Sequence, residues 1–259
     1  MSGVVLLRDV PVGEGRVKVA APLCSTDPAG LLEEADHLVA AGVDIAEWRA
    51  DHLLGVHPDA PVGALPAALH ARLGGTPLLL TVRSAGEGGR VDLTDDQYAT
   101  AVTTLLQDGA GDAVDVELAR GSVLPDLLAG ARERGVRVLV SSHDVVGTPP
   151  AAEIVDRLAA MAATGADIVK VAVTARGPRD VLALLEATLT AHDDLAVPVV
   201  TMAMGPAGLV SRLCGEVFGS AVTFGAVDRP SAPGQIDVGR LRDVVGLVHG
   251  HIAPVEGAG

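Results

Sequence analysis

Aromatic residues, lysine and cysteine are all scarce in this chain of 259 residues. Phe, Tyr and Trp together make up 2% of it, which leaves few rings on which single-stranded nucleic acid could stack. The formal charge of −14 also opposes nucleic acid and acidic membranes, because it repels phosphate at long range. We therefore expect no nucleic-acid partner, and an anionic substrate would need a local source of attraction.

The two cysteines, Cys24 and Cys214, are too few for a disulfide framework, and neither belongs to a Cys-x-x-Cys pair of the kind that binds metal. We expect both to be reduced core residues. The N-terminal residues lack a basic start and a long apolar stretch, and no later run approaches the roughly 18 apolar residues that span a bilayer. These absences predict a cytoplasmic protein with no membrane partner.

The chain does contain a regular alternation of β-branched and Ala/Leu-rich segments. The predicted strands are residues 17–23, 44–51, 77–84, 113–118, 137–144, 168–173, 198–204 and 221–227. The predicted helices are residues 28–41, 94–107, 124–134, 149–164, 177–191, 205–217 and 238–248. About eight βα units of about 30 residues each match a (β/α)8 barrel, and the strands are too continuously apolar for a sheet with one solvated face. A doubly wound open sheet is the structural alternative.

The predicted fold class is therefore α/β, a (β/α)8 TIM barrel in a single catalytic domain spanning residues 1–259. With 49% hydrophobic residues, the chain can bury one large core. Residues 4–7, 13–15 and 17–19 predict a β-hairpin ahead of the barrel. We expect this hairpin to close the bottom of the barrel, where the strands begin.

Lysine is the rarest charged residue, with Lys18 and Lys170 beside 17 arginines. Lys170 lies in the apolar run 167–173. An arginine stays protonated in proteins, whereas a lysine amine that is removed from water can lose its proton and act as a nucleophile. We therefore expect Lys170 to form a Schiff base. The alternative is a buried stem whose amine reaches solvent or pairs with a carboxylate.

Charged residues recur near the ends of the predicted strands, on the face that would line the barrel and carry the chemistry. Along the chain they are Glu47, Arg49, Asp51, Arg83, Glu87, Asp115, Glu117, His143 and Lys170, with Ser141 among them. Buried charges must be paired or must serve a ligand. For Glu47, Arg49 and Asp51, an internal salt-bridge cluster and a substrate-binding role are both open. Asp115 and Glu117 fit better as supports for a neighbouring cation than as catalysts.

His143 is the one histidine of the eight that we expect to be catalytic, because it ends a strand next to that of Lys170. The glycine-rich loop at residues 85–89 lacks the spacing and the helix entry of a dinucleotide-binding fingerprint. We predict a flexible loop that lets Glu87 reach inward.

Seven segments carry a family resemblance and follow one another in order: residues 47–51, 81–89, 115–118, 141–144, 168–172, 208–220 and 230–235. In these segments the chain resembles type I 3-dehydroquinate dehydratase, from about Val17 to about Val248. The resemblance implies a (β/α)8 lyase of the shikimate pathway of aromatic amino acid biosynthesis. It also implies a homodimer that needs neither metal nor cofactor.

The same resemblance assigns a role to each matching residue. It implies that Lys170 forms an imine with the C3 ketone of 3-dehydroquinate, that His143 transfers protons, and that Glu87 orients His143. The implied substrate-binding residues are Glu47, Arg49, Arg83, Arg212, Ser231 and Gln235, with Arg212 as the carboxylate clamp and the last two in a lid over residues 227–235. Ser142 and Val145 stand where the family commonly has aromatic residues, which affects the pocket wall and not the proposed catalytic groups.

Three alternatives stay open. A class I aldolase or transaldolase barrel also uses a strand lysine, and the segment 204–208 could form a phosphate-binding loop for it. A barrel that binds a quinate-like ligand without turnover is the non-enzymatic alternative. A divalent-metal barrel using Glu117, His143 and Asp144 is disfavoured, because adjacent residues of a strand point to opposite faces.

Overall fold

The apolar runs form parallel strands, and the Ala/Leu-rich segments form helices around them. The computed structural model describes residues 3–227 and 231–252. Its strands are β1 Val5–Leu7, β2 Val10–Val12, β3 Lys18–Leu23, β4 Ile45–Arg49, β5 Leu78–Thr81, β6 Ala113–Glu117, β7 Arg137–Asp144, β8 Ile168–Thr174, β9 Val199–Met204 and β10 Val222–Phe224. Its helices are α1 Pro28–Ala41, α2 Ala50–Val56, α3 Leu65–Leu73, α4 Asp95–Leu106, α5 Leu124–Glu133, α6 Ala151–Ala163, α7 Pro178–Asp194, α8 Leu209–Cys214 and α9 Val238–Ile252.

The eight strands β3 to β10 form one parallel sheet in which β10 lies beside β3 and the others follow in chain order. The two ends of this order, β9 and β10, are joined where both strands begin: Val199 pairs with Ser220, and the Ala221 N–H donates to the Val199 carbonyl at 2.8 Å. A contact between the two strands at the ends of the order closes the sheet. The predicted (β/α)8 barrel is therefore confirmed, and the open doubly wound sheet is wrong.

The inside of the barrel changes character along the strands. Its lower part is apolar and contains Ala20, Ile45, Leu79, Ala113, Leu139, Ile168, Val200 and Val222. Two residues further along β4, β6 and β8, the same inward-facing positions hold Glu47, Asp115 and Lys170. Because side chains alternate along a strand, these charged residues face the interior above the apolar layer. The charged layer thus lies near the C-terminal ends of the strands.

The N-terminal hairpin closes the opposite end of the barrel, as predicted. Leu7 and Val12 are buried in the apolar layer inside the barrel. The predicted hairpin partner was wrong, however: β1 pairs with β2, and Lys18 and Val19 of the predicted partner belong to β3 of the barrel. The turn between the strands is at Arg8, whose φ of 53° is in the left-handed region.

The second predicted barrel strand, 44–51, is too long. β4 ends at Arg49, and Asp51 lies in the first turn of α2. The alternation of side chains along a strand therefore does not predict which way Asp51 faces. Its carboxylate instead accepts both the Arg49 fork, at 2.7 and 2.8 Å, and the Arg90 N–H at 3.1 Å. These contacts hold the Asp51 carboxylate in the first turn of α2.

Other boundaries also differ from the prediction. Helices α2 and α3, between β4 and β5, were not predicted; α2 has no side-chain cap, and α3 lacks one as well. The predicted helix 205–217 is divided into a 3-10 turn at Pro206–Gly208, α8, and a 3-10 turn at Gly215–Phe218. By contrast, α1 begins as predicted, since the Asp27 carboxylate accepts the Gly30 N–H at 2.9 Å and Pro28 occupies the first turn.

Candidate active site

A cavity of about 340 Å³ lies at the C-terminal ends of the barrel strands. The structure brings all the residues predicted to be catalytic or substrate-binding to its wall: Glu47, Arg49, Arg83, Glu87, His143, Lys170, Arg212, Ser231 and Gln235. They come from β4, β7, β8, α8 and the loops after β5 and β10. Only the closed barrel places these distant parts of the chain around one cavity.

Arg83 is the centre of a buried ionic cluster. Its guanidinium donates to Asp115 Oδ2 at 2.7 Å, to Glu87 Oε2 at 3.1 Å and to Glu117 Oε1 at 3.2 Å. Burial alone would lower the pKa of Arg83, but the three carboxylates outweigh it and raise that pKa. Asp115 and Glu117 therefore support a cation, as predicted.

Glu87 and His143 form a hydrogen-bonded pair beside this cluster. His143 Nδ1 lies 2.9 Å from Glu87 Oε2. Burial, followed by the positive charges of Arg83 and Lys170, lowers the pKa of His143 well below its ordinary value. Burial raises the pKa of Glu87 to about 7, although Arg83 opposes this effect. If Nδ1–H donates to Glu87, then Nε2 carries the lone pair that can accept a proton.

A tight turn after β5 holds Glu87 in this position. Residues Ala85–Glu87 form a 3-10 turn, Gly88 has a φ of 86°, and the Gly89 N–H donates to the Ser84 carbonyl at 2.8 Å. A Cβ on residue 89 would lie 1.9 Å from the Arg83 carbonyl oxygen, so only glycine fits there. The predicted inward reach of Glu87 is produced by this hydrogen-bonded turn.

The Lys170 side chain is buried, and its amine faces the cavity between carboxylates and a ring. Nζ lies 3.3 Å from Asp115 Oδ2 and 3.7 Å from Glu47 Oε1. The Phe224 ring centroid is 4.7 Å from Nζ. The amine therefore does not reach bulk solvent. This geometry is compatible with an ion pair at rest and with attack on a carbonyl inside the cavity.

Glu47 and Arg49 both line the cavity and take part in internal pairing. The Arg49 fork is occupied by Asp51, and Glu47 Oε1 accepts the Thr81 hydroxyl at 3.0 Å. The salt-bridge cluster considered from the sequence is present for Arg49 and Asp51. Since both Glu47 and Arg49 also face the cavity, this pairing leaves a binding role open.

Arg212 is a buried cation at the wall of the cavity. It is 1% exposed, donates to the Phe224 carbonyl at 3.2 Å, and has no carboxylate within 4.0 Å among residues 3–227 and 231–252. Its Nε is buried and has no hydrogen-bond partner in those same ranges. Burial lowers the pKa of Arg212 to about 10. A buried cation of this kind favours an anionic group in the cavity.

The loop after β10 covers one side of the cavity with Ser231 and Gln235. Gln235 Oε1 accepts the Ser231 N–H at 2.7 Å, and the Gly205 N–H donates to the Pro233 carbonyl at 3.2 Å. Residues 228–230 of the predicted lid lie outside the described residues. Lid closure over a ligand stays a prediction.

Sequence reasoning missed the apolar wall of the cavity. This wall includes Ala172, Met202, Met204 and Phe224. Each has the inward-facing parity of its strand, so the alternation that identified Lys170 could also have identified them. They were missed because apolar residues in a strand give no chemical signal of their own.

Both cysteines are free, but each is only half-buried, so the prediction of core positions was wrong. Burial raises the pKa of Cys24 to about 12, which opposes a nucleophilic role.

In the described part of the chain, no three His, Cys, Asp or Glu side chains are grouped so that they could hold a metal ion. No helix of residues 3–227 and 231–252 is long and apolar enough to cross a membrane.

The fold and the cavity define a (β/α)8 barrel with a buried lysine, a histidine–glutamate pair and a buried arginine at its C-terminal face. The sequence profile described as type I 3-dehydroquinase matches residues 19–252. The chain therefore belongs to the type I 3-dehydroquinase family, and the resemblance seen in its sequence is confirmed.

Individual relatives agree with this assignment. The 3-dehydroquinate dehydratase of Listeria monocytogenes serovar 1/2a is 44% identical over 247 residues, which cover 95% of this chain and 98% of the relative. The crystal structure of a type I 3-dehydroquinate dehydratase from Clostridium difficile has a TM-score of 0.91 and 39% identity, with 97% of this chain and 99% of that one covered. The enzyme from Geobacillus kaustophilus HTA426 has a TM-score of 0.92 and 36% identity, with 96% and 97% covered.

Proposed function

We propose that this protein is a hydro-lyase that converts 3-dehydroquinate to 3-dehydroshikimate and water through an imine on Lys170. The observation that supports this most directly is the shared cavity. A lysine amine, a histidine–glutamate pair and an arginine without an anionic partner among the described residues all face the same space. A small keto acid offers a matching group to each.

The first step joins the substrate to the enzyme. The Lys170 ammonium first gives one proton to His143, and the neutral amine adds to the C3 ketone. The ketone oxygen takes that proton and one from nitrogen and leaves as water, so that the remaining C=N bond carries one positive charge. That charge makes the neighbouring C2–H far more acidic, because the electron pair released at C2 can move towards nitrogen. The iminium acts as the electron sink, so we propose that no cofactor or metal is needed.

Elimination follows on the same imine. His143 Nε2 removes the C2 proton, and the electron pair forms an enamine. The enamine then expels the C1 hydroxyl, which takes the proton from His143 and leaves as water. Hydrolysis of the resulting iminium returns the ketone and the free lysine. Glu87 stabilises the imidazolium formed between these two proton transfers, because its carboxylate contacts Nδ1 at 2.9 Å.

The remaining cavity residues would position the substrate. Arg212 offers a guanidinium fork to the substrate carboxylate, and Ser231 and Gln235 lie where a lid would cover that group. We propose that Glu47, Arg49 and Arg83 hold the ring hydroxyls with the polar atoms that face the cavity.

The aldolase alternative is less well supported. The loop 204–208 would have to bind phosphate through its backbone N–H groups. The Gly205 N–H already donates to Pro233, and the Gly208 N–H donates to Gly205. Family membership also favours dehydration over C–C cleavage.

Mass spectrometry after incubation with 3-dehydroquinate and borohydride tests the proposal. We expect a stable adduct that peptide mapping places on Lys170. Lys170→Ala should form no adduct, whereas His143→Ala should accumulate the imine while dehydration falls by about three orders of magnitude or more. Folded wild-type protein without an adduct, or His143→Ala with near-normal turnover, would contradict the proposed mechanism.

We also propose that residues 1–259 act as one catalytic domain, and that the protein works in the cytoplasm as a homodimer. The homodimer is supported by apolar side chains that face outward on neighbouring segments. Leu182 and Leu189 are 65% and 44% exposed on α7. Val210 on α8 is 51% exposed, and Val217 in the 3-10 turn after α8 is 48% exposed. A second copy that covers these side chains would remove apolar surface from water, which favours association.

A further inference from the structure

A second layer of charge lies behind the cavity wall and centres on Arg120. Arg120 is not one of the described residues that line the cavity, and its side chain is 13% exposed. Nε donates to Glu117 Oε2 at 3.3 Å, while Nη1 donates to Asp95 Oδ1 at 3.0 Å and to the Leu93 carbonyl at 2.9 Å. The guanidinium also lies 4.7 Å from the Tyr98 ring centroid. These contacts from several elements fix its position.

Arg120 is connected to the proposed catalytic pair through two intermediate residues. Glu117 accepts Arg120 on one carboxylate oxygen and Arg83 on the other, at 3.3 and 3.2 Å. The same Arg83 nitrogen donates to Glu87 at 3.1 Å, and Glu87 contacts His143 at 2.9 Å. Positive and negative groups thus alternate from the outside of the barrel to the imidazole.

The charged groups around Glu87 determine how Arg120 can affect its ionisation. Within the described ranges, the charged and titratable groups that face Glu87 are Arg83 from the end of β5, Asp115 and Glu117 from β6, and His143 from β7, with Lys170 of β8 beyond Asp115. Arg83 is shared among three carboxylates. Lys170 gives Asp115 a second cation, and Arg120 gives Glu117 a second cation.

We propose that Arg120 is a positioning residue that neutralises Glu117, so that Arg83 can hold Glu87 as a carboxylate against His143. This inference rests on the proposed function, because it assumes that the Glu87–His143 pair moves protons in that reaction. Burial raises the pKa of Glu87 to about 7, and the Glu117 charge adds to the effect. Ionisation of the pair is therefore close to balance at neutral pH, where one nearby positive charge has a large influence.

The pH dependence of kcat/KM for 3-dehydroquinate tests the role of Arg120. Loss of a positive charge favours the protonated form of the Glu87–His143 pair, whichever partner holds the proton. In Arg120→Gln, we expect the acid limb to move to higher pH by about 0.5 to 1 unit, which is a three- to tenfold loss at pH values below the limb. Well above the limb, the change should be small. Arg120→Lys should restore most of the wild-type profile.

Arg137→Gln is the matched control. Arg137 pairs with Asp167 at 3.2 Å, is 53% exposed, and lies at the N-terminal end of β7, far from the cavity. The substitution changes the net charge by the same amount as Arg120→Gln. We expect it to leave the acid limb unchanged, which separates a local effect from a general change in protein charge.

Asp95→Asn provides a second and independent variant on an exposed residue. Since Asp95 partly neutralises Arg120, its removal should move the acid limb to lower pH, opposite to Arg120→Gln. If Arg120→Gln does not fold, as judged by circular dichroism, Asp95→Asn decides the question alone.

Borohydride trapping is run on each protein in parallel. No adduct with wild type overturns the proposed function, whereas normal adducts with an unmoved acid limb overturn only the role of Arg120.

Discussion

Arg212 shows at the scale of one residue how a binding site can weaken a fold. Burial lowers its pKa to about 10, which corresponds to an unfavourable contribution of about 3 kcal/mol to the free energy of folding. Because the folded state binds this proton less tightly, the full cost is present below about pH 10, and it declines only as the pH rises from there towards the ordinary arginine value of 12.5. The carboxylate of the proposed substrate would offset that cost on binding.

We predict that Arg212→Met raises the thermal midpoint of the ligand-free protein by a few degrees and raises KM at least a hundredfold. Methionine keeps much of the apolar stem volume but removes the buried charge. Differential scanning calorimetry and steady-state kinetics measure the two effects. Arg212→Lys keeps the charge but loses the guanidinium fork, so its thermal midpoint and KM should lie between those of the wild type and Arg212→Met. A variant with lower stability and normal KM would show that Arg212 is structural.

The pair of Glu87 and His143 predicts the pH dependence of the reaction. As the pH falls through about 7, Glu87 takes up a proton and can no longer stabilise an imidazolium at His143. We therefore expect kcat/KM to fall on the acid side of neutral pH and to reach a plateau above it. Stopped-time assays from pH 5 to pH 9 would record this limb. In Glu87→Gln the limb should be replaced by uniformly low activity.

At the scale of one element, the N-terminal hairpin separates stability from catalysis. Leu7 is 3% exposed inside the bottom of the barrel, whereas its neighbour Leu6 is 56% exposed. We predict that Leu7→Ala lowers the free energy of unfolding by about 2–5 kcal/mol, because it leaves a cavity, while Leu6→Ala changes it by about 0.5 kcal/mol or less. Urea unfolding measures both. Neither variant should change kcat below its unfolding temperature, since the cavity is at the other end.

Element boundaries were predictable where local chemistry marks them. Asp27 and Pro28 indicate the start of α1, and Gly42, with a φ of 66°, indicates its end. The end of β4 gave no such signal. Residues 45–51 continue to alternate, and the Asp51 carboxylate in the first turn of α2 accepts the N–H groups of Arg83 and Arg90, which are 32 and 39 residues away. Contacts between distant segments cannot be derived from a period of two.

At the scale of the whole molecule, the outward-facing leucines of α7 predict the oligomeric state. Light scattering coupled to size exclusion should give a mass twice the 26.1 kDa of one chain. Replacing Leu182 and Leu189 together with aspartate should give the monomer mass, because each buried charge in an apolar interface is costly. Val4→Asp, at another exposed apolar position, is the control and should leave the dimer intact. A monomer in the wild type would contradict the homodimer.

The sequence by itself determined the barrel, because eight apolar strand runs alternate with helical segments and each run is buried on both faces. It also indicated which side chains face inward along the strands, since alternation is a local property, but it placed Asp51 in β4, whereas Asp51 lies in α2. Only the tertiary structure decided how those side chains pair. Barrel closure places Lys170 of β8 next to Asp115 of β6, 55 residues apart, and it buries Arg212 away from every carboxylate in the described ranges. Burial and charge pairing depend on contacts between distant strands of the closed barrel, and they determine the pKa of each ionisable group.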